Sequence, residues 1–171
     1  MQSFSLYSRD SGGARTRPLY DISDINAIND DDDRDGKLVL VIDDSHMICR
    51  IVEFCLREYD INTVSFYSGI DAINALRNGT IPIPDLVLLD INMPDMNGYN
   101  VASLLRSNKA LRDSLPIVML SGRDGIFDRL RARRVGAEDF IAKPFPKPEL
   151  VRKVFTVLGL DIPDDLKDPQ D

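Results

Sequence analysis

Three short runs constrain this chain more than anything else in it. Leu38-Val39-Leu40-Val41-Ile42, Leu86-Val87-Leu88-Leu89 and Ile117-Val118-Met119-Leu120 contain no polar residue, and each stops at one: Asp43-Asp44, Asp90 and Ser121. All three read as strands, and the first two, without alternation, as strands buried on both faces, as in the centre of a parallel sheet. A parallel sheet needs a crossover, usually a helix, after each strand.

The intervening sequence supplies those helices. Ser45 caps a helix whose apolar residues Ile48, Ile51, Val52, Cys55, Leu56 and Tyr59 fall at helical spacing. Residues 62–66 read as a strand, and residues 68–78 as a helix opening on a Ser68-to-Asp71 variant of the capping box. After Asp90, Met93-Pro94 and Asn97-Gly98 read as a turn into a helix over 98–107, capped by Asn97. Then follow a strand over 116–120, a helix over 124–135, a short strand over 139–142 ending in Lys143-Pro144, and a helix over 150–158 preceded by Pro148. Five strand-helix units define an α/β, doubly wound sheet with helices on both faces. Its strands all end at one edge, so Asp43, Asp44, Asp90, Ser121 and Lys143 converge there.

Two like charges 4 Å apart cost about 4 kcal/mol at the effective dielectric of a protein surface. Three clustered carboxylates therefore call for a counter-charge. A hard divalent cation on oxygen ligands from Asp44 and Asp90 suits the site better than zinc, because the sequence offers no cluster of Cys or His there. This points to magnesium. With the ammonium of Lys143 and the hydroxyl of Ser121, the set suits phosphoryl transfer, in which the protein contributes position and charge, and Asp90 is the nucleophile.

The 171 residues, 43% hydrophobic, are enough for one core. No apolar run approaches the roughly 18 residues that span a bilayer, and residues 1–20 do not read as a signal peptide, which leads us to expect a cytoplasmic protein. The net charge of −7 resides at the ends: residues 1–36 carry −4, residues 161–171 carry −4, and the part between them carries +1. A near-neutral body presents no large basic field for nucleic acid or anionic lipid. Residues 1–36 read as an acidic, disordered extension, and residues 161–171 as an acidic tail too short to fold. The stretch Asp31-Asp32-Asp33-Arg34-Asp35-Gly36 opens like a calcium loop, but its twelfth place is Ile42 where a bidentate Glu is required; it reads as a solvated linker. Cys49 and Cys55 stand about 9 Å apart along one helix, too far for a disulfide, with Cys55 on the core face. His46, the single histidine, reads as a surface residue of the first helix.

The segments VIDDS, LLDINMPDMNG, IVMLSG and FIAKPF, in this order and spacing over about residues 37–160, resemble the response-regulator receiver domain. The resemblance implies a flavodoxin-like fold of five parallel strands, in the order 2-1-3-4-5, with five helices. It implies that Asp90 accepts phosphate from a histidine kinase or histidine phosphotransfer protein. Asp44 and Asp90 would bind magnesium (or manganese) directly, Asn92 through its main-chain carbonyl and Asp43 through water, while Ser121 and Lys143 would contact the phosphoryl group. Lys143-Pro144 would be cis. Phe140 occupies the place of the family's switch aromatic, so that switching with Ser121 would proceed by packing, without a tyrosine hydroxyl.

By the same resemblance the chain is similar to single-domain chemotaxis regulators: a stand-alone receiver, with no DNA-binding domain and no membrane contact, and not an enzyme beyond its own phosphotransfer and slow dephosphorylation. Its downstream protein target would dock on the fourth helix, fifth strand and fifth helix, where Arg129, Arg131, Arg133 and Arg134 form either a solvated face or a site for an acidic partner. The alternatives are a phosphorylation-independent interaction module and an aspartyl phosphatase of the haloacid-dehalogenase type. Five intact site residues argue against the first. Asn92, standing where the second family has an acid-base Asp, argues against the other.

Overall fold

Burial along each strand follows its composition. In the computed structural model, which describes residues 36–108, 114–122 and 134–167, the strands are β1 (Leu38–Ile42), β2 (Asn62–Phe66), β3 (Leu86–Asp90), β4 (Ile117–Ser121) and β5 (Asp139–Ala142). β1, β3 and β4 are buried at every residue, whereas β2 and β5, with polar residues among their apolar ones, are partly exposed. The sheet order is β2-β1-β3-β4-β5 and all pairs are parallel, so the fully apolar runs take the centre and the mixed ones the edges.

Four helices are described: α1 (His46–Arg57), α2 (Gly69–Arg77), α3 (Gly98–Ser107) and α4 (Lys147–Leu158). Most of the helix expected over 124–135 lies outside the described residues, as do Arg129, Arg131 and Arg133; Arg134 is helical and exposed. The three side-chain caps read from sequence are formed. Ser45 accepts from the Ile48 N–H, Ser68 from the Asp71 N–H and Asn97 from the Tyr99 N–H. α4 begins at Lys147, earlier than its first apolar residue, because Pro148 lies in the first turn, where no backbone donor is required.

Successive strand residues point to opposite faces. Val39, Val41, Leu86, Leu88, Val118 and Leu120 form one core with α1 and α4, and the alternate residues face the side where α2 and α3 meet. α1 buries most of the face its apolar spacing indicates: Val52, Cys55 and Leu56 are in the core and Ile48 and Tyr59 pack against it, but Ile51 is turned outward. Cys49, Val52, Cys55 and Leu56 point inward, while Met47, Ile51 and Phe54 are 68%, 40% and 58% exposed. The thiol of Cys49, also on the inner face, donates to the Asp43 carbonyl at 3.4 Å. Of the pair Leu104 and Leu105, only the second is buried.

Residues 161–167, expected to be an unfolded tail, lie on the body as far as they are described. A 3₁₀ turn at Asp164–Leu166 buries Leu166 in the core between α1 and α4. Arg152 of α4 donates to the Leu166 carbonyl at 3.2 Å, and the Tyr59 hydroxyl donates to Asp165 at 2.8 Å. One apolar residue in an acidic stretch is enough to anchor it. Among the described residues no helix is long and apolar enough to cross a membrane.

Leu166→Ala removes a nearly buried side chain from this core. We expect a loss of about 2–3 kcal/mol in a urea or guanidinium titration; an unchanged midpoint would show that the tail adds nothing to the fold.

Candidate functional site

Strand register brings the terminal polar residues level. Ile42 pairs with Leu89 and Asp90 with Leu120, so Asp43, Asp90 and Ser121 leave neighbouring strands along the carboxyl edge. Ser121 pairs with Ala142, which places Lys143 one residue past β5. Carboxylate oxygens of Asp43, Asp44 and Asp90 lie within 4.8 Å of one another. Asp43 and Asp90 are buried and Asp44 is exposed, so the cluster opens to solvent on one side.

Lys143 closes the arrangement. Its Nζ lies 2.5 Å from Asp43 Oδ2 and 2.8 Å from Asp90 Oδ1, and its backbone N–H donates to the Ser121 carbonyl at 2.6 Å. The following peptide, Lys143-Pro144, is cis. Burial acts against the ammonium, but the two carboxylates outweigh it and raise the Lys143 pKa. Asp43 is the most tightly held of the acids. Its N–H donates to the Phe66 carbonyl at 3.0 Å, and its Oδ1 accepts from the Ser45 N–H at 2.9 Å. Burial raises its pKa and the charge on Asp90 adds to this, while bonds from Lys143 and Ser45 pull the other way without cancelling the rise. Beneath it, burial and then the Asp43 charge push the Cys49 thiol up to about 12, so it remains a protonated donor and not a nucleophile.

The loop after Asp90 is drawn back over it. Gly98 approaches so closely that a Cβ there would lie 2.2 Å from the Asp90 carbonyl oxygen, and its N–H donates to the Ile91 carbonyl at 3.0 Å. Asp95 ties the same loop to α2, accepting from the Ser68 hydroxyl at 2.6 Å and from the Ile70 N–H at 3.3 Å. These bonds, with burial opposing them as the largest single influence, leave its pKa lowered. Neither role was visible in the sequence beyond the turn signal at Asn97-Gly98. Phe140 is half-buried on β5 opposite Met119, and Asn92 is exposed two residues after Asp90.

The donor set fits a hard divalent ion. It is all carboxylate oxygen, carries more negative charge than one ammonium balances, and includes an exposed member through which water can reach the metal. Asp44, Asp90 and Asp43 are the residues that would hold it.

A parallel sheet of order 2-1-3-4-5 with its ligand groups at the carboxyl edge is the flavodoxin-like, doubly wound architecture. Residues 39–155 match the family described as the response regulator receiver domain, and the chain belongs to that family. It is 37% identical over 117 residues to the protein PilG of Pseudomonas aeruginosa, a match covering 68% of this chain and 84% of PilG. It is 36% identical over 120 residues to the cell cycle response regulator CtrA of Brucella ovis, covering 70% of this chain but only 49% of CtrA. A response regulator receiver protein from Burkholderia phymatum superposes with a TM-score of 0.66 at 29% identity, covering 75% of this chain and 99% of that one. The chemotaxis response regulator CheY4 of Vibrio cholerae gives 0.66 at 24% identity over 71% and 98%, a likeness of fold alone.

Because its folded-state pKa is raised, ionised Asp43 costs stability in metal-free buffer, and the cost grows as pH rises above 3.8 through the raised value. Asp43→Asn should therefore melt higher than the native chain at pH 7 without metal, by about 2–4 °C, the shift that about 1 kcal/mol makes in a chain of this length. The gap should shrink as pH falls toward 4; an equal gap at both pH values would assign the effect to something other than ionisation. Gly98→Ala, by contrast, should lose about 1–3 kcal/mol at either pH in denaturant titrations, from the clash with the Asp90 carbonyl.

Proposed function

We propose that Asp90 accepts a phosphoryl group from a phosphorylated histidine on a kinase or phosphotransfer protein, and that the resulting acyl phosphate switches a protein-binding surface. The observation that carries this reading is the bridge of one ammonium across two buried strand-end carboxylates, with a third, exposed carboxylate beside them. A carboxylate oxygen of Asp90 attacks phosphorus; the P–O bond forms as the P–N bond breaks, and its electron pair leaves on the donor imidazole, which takes a proton from water. Lys143, held at 2.8 Å from Asp90 Oδ1, is placed to follow the incoming oxygens with its charge. Magnesium or manganese, held by Asp44, Asp90 and the Asn92 main-chain carbonyl with Asp43 acting through water, would neutralise the remaining phosphoryl charge.

Ser121 stands at the end of β4, between Asp90 and Lys143 in sheet order, where its hydroxyl would meet a phosphoryl oxygen. Its movement would give Phe140 room to repack, and with no hydroxyl on that ring the signal passes by shape alone. β5 and α4 then form the described part of the output surface, and a protein is its target. The family identity and the PilG and CtrA relationships support this reading.

Intact mass after treatment with acetyl phosphate tests it. We expect a gain of one phosphoryl group that requires divalent metal and disappears in Asp90→Asn. No gain, under conditions that label another receiver, would favour an interaction module that works unphosphorylated.

A further inference from the structure

Asp44 is the exposed member of the acid cluster, and among the described residues its side chain has no hydrogen bond or ion pair. Asp43, one residue earlier, is fastened through its N–H, both carboxylate oxygens and its carbonyl. A metal ligand without a partner of its own must be oriented through its neighbours, or its freedom is lost only when the ion binds and affinity suffers. On one side of Asp44 that neighbour is the fastened Asp43. On the other, Ser45 caps α1, and the next residue, His46, lies flat on Tyr67 with ring centroids 3.7 Å apart and planes inclined by 16°.

Tyr67 is a sound anchor. It follows β2 directly, in line with the Asp43 N–H to Phe66 carbonyl bond that joins the two strand ends, and its ring packs on the core between α1 and α4. His46 is exposed and starts α1. We infer that the His46–Tyr67 stack is an aromatic clip that holds the β1–α1 turn against the β2–α2 turn and so positions Asp44 for the divalent ion. His46 and Tyr67 are thereby positioning residues for the metal, acting through the backbone of residues 44–46. The inference rests on the metal-dependent reading of the acid cluster given above.

An offset or edge-to-face aromatic pair contributes about twofold to tenfold to an equilibrium constant, and a face-to-face stack such as this one stands at the lower end. Mn2+ affinity, followed by the electron paramagnetic resonance signal of the free ion on the full chain at constant pH, reads that effect directly. We expect His46→Ala and Tyr67→Leu to bind Mn2+ about twofold to fivefold more weakly, while His46→Phe and Tyr67→Phe, which keep two stacked rings, bind as the native chain does. Melting in EDTA separates the alternatives. A stack that serves the fold alone would lower the metal-free melting point of His46→Ala and leave its Mn2+ affinity unchanged, which overturns the inference. Failure of His46→Phe to restore affinity would make the imidazole itself a ligand and overturn it equally. If the native chain binds no Mn2+, or binds it as well when Asp44 is replaced by Asn, the acid cluster is not the metal site and the reading beneath the inference falls with it.

Discussion

One ammonium between two buried carboxylates is the contact on which the carboxyl edge of this sheet depends. Asp43 and Asp90 end adjacent, fully buried strands, and two such charges together would be driven to protonate or to disrupt the strand ends. Lys143 returns from the edge strand across Ser121 and reaches both. The arrangement stabilises the acids without saturating them: Asp43 retains a raised pKa even with the lysine and a backbone N–H bound. Three carboxylates facing one ammonium are suited to a further cation, as the proposed function requires.

The opposite edge of the sheet shows what full satisfaction looks like. Asp85, just before β3, accepts from the Leu38 N–H at 2.9 Å and from Lys37 at 3.0 Å, fastening β3 to β1. Glu138, just before β5, accepts from the Ile117 N–H at 2.6 Å and from Arg106 at 3.0 Å, fastening β5 to β4. Arg106 also donates to the Leu115 and Gly136 carbonyls, and Gly136 makes room for it, since a Cβ there would lie 3.0 Å from Arg106 Nε. At that end each carboxylate has a backbone donor and a cation. The sheet is thus clamped at one edge and left electrostatically open at the other, and the open edge carries the phosphoacceptor chemistry we propose.

Much of this was legible in the residues because it depends on local pattern. Unbroken apolar runs marked β1 and β3 as buried strands, and a parallel sheet necessarily gathers strand-end residues, so Asp43, Asp44, Asp90, Ser121 and Lys143 could be grouped from the sequence, whereas the strand order, with β2 and β5 at the edges, followed only from the family resemblance. What escaped depends on contacts between distant segments. Periodicity alone placed Ile51 on the core face, but the packed helix turns Cys49 inward and leaves Ile51 exposed. Composition set residues 161–167 aside as a tail, yet one leucine with a place between two helices outweighs its acidic neighbours. The stacking of His46 on Tyr67 joins two turns that lie some twenty residues apart, and no spacing rule reports it.

The two cysteines give the fold an internal gauge. Both are on the inner face of α1 with thiols whose pKa burial has raised, Cys49 directly beneath Asp43 and Cys55 two turns further along. Cys49 is fully buried and Cys55 nearly so, so their modification by a maleimide in native buffer reports how readily that helix lifts from the sheet. The protein therefore carries, without added labels, a reporter on the opening of the layer that supports its acid cluster, one that can be read with and without metal or phosphate.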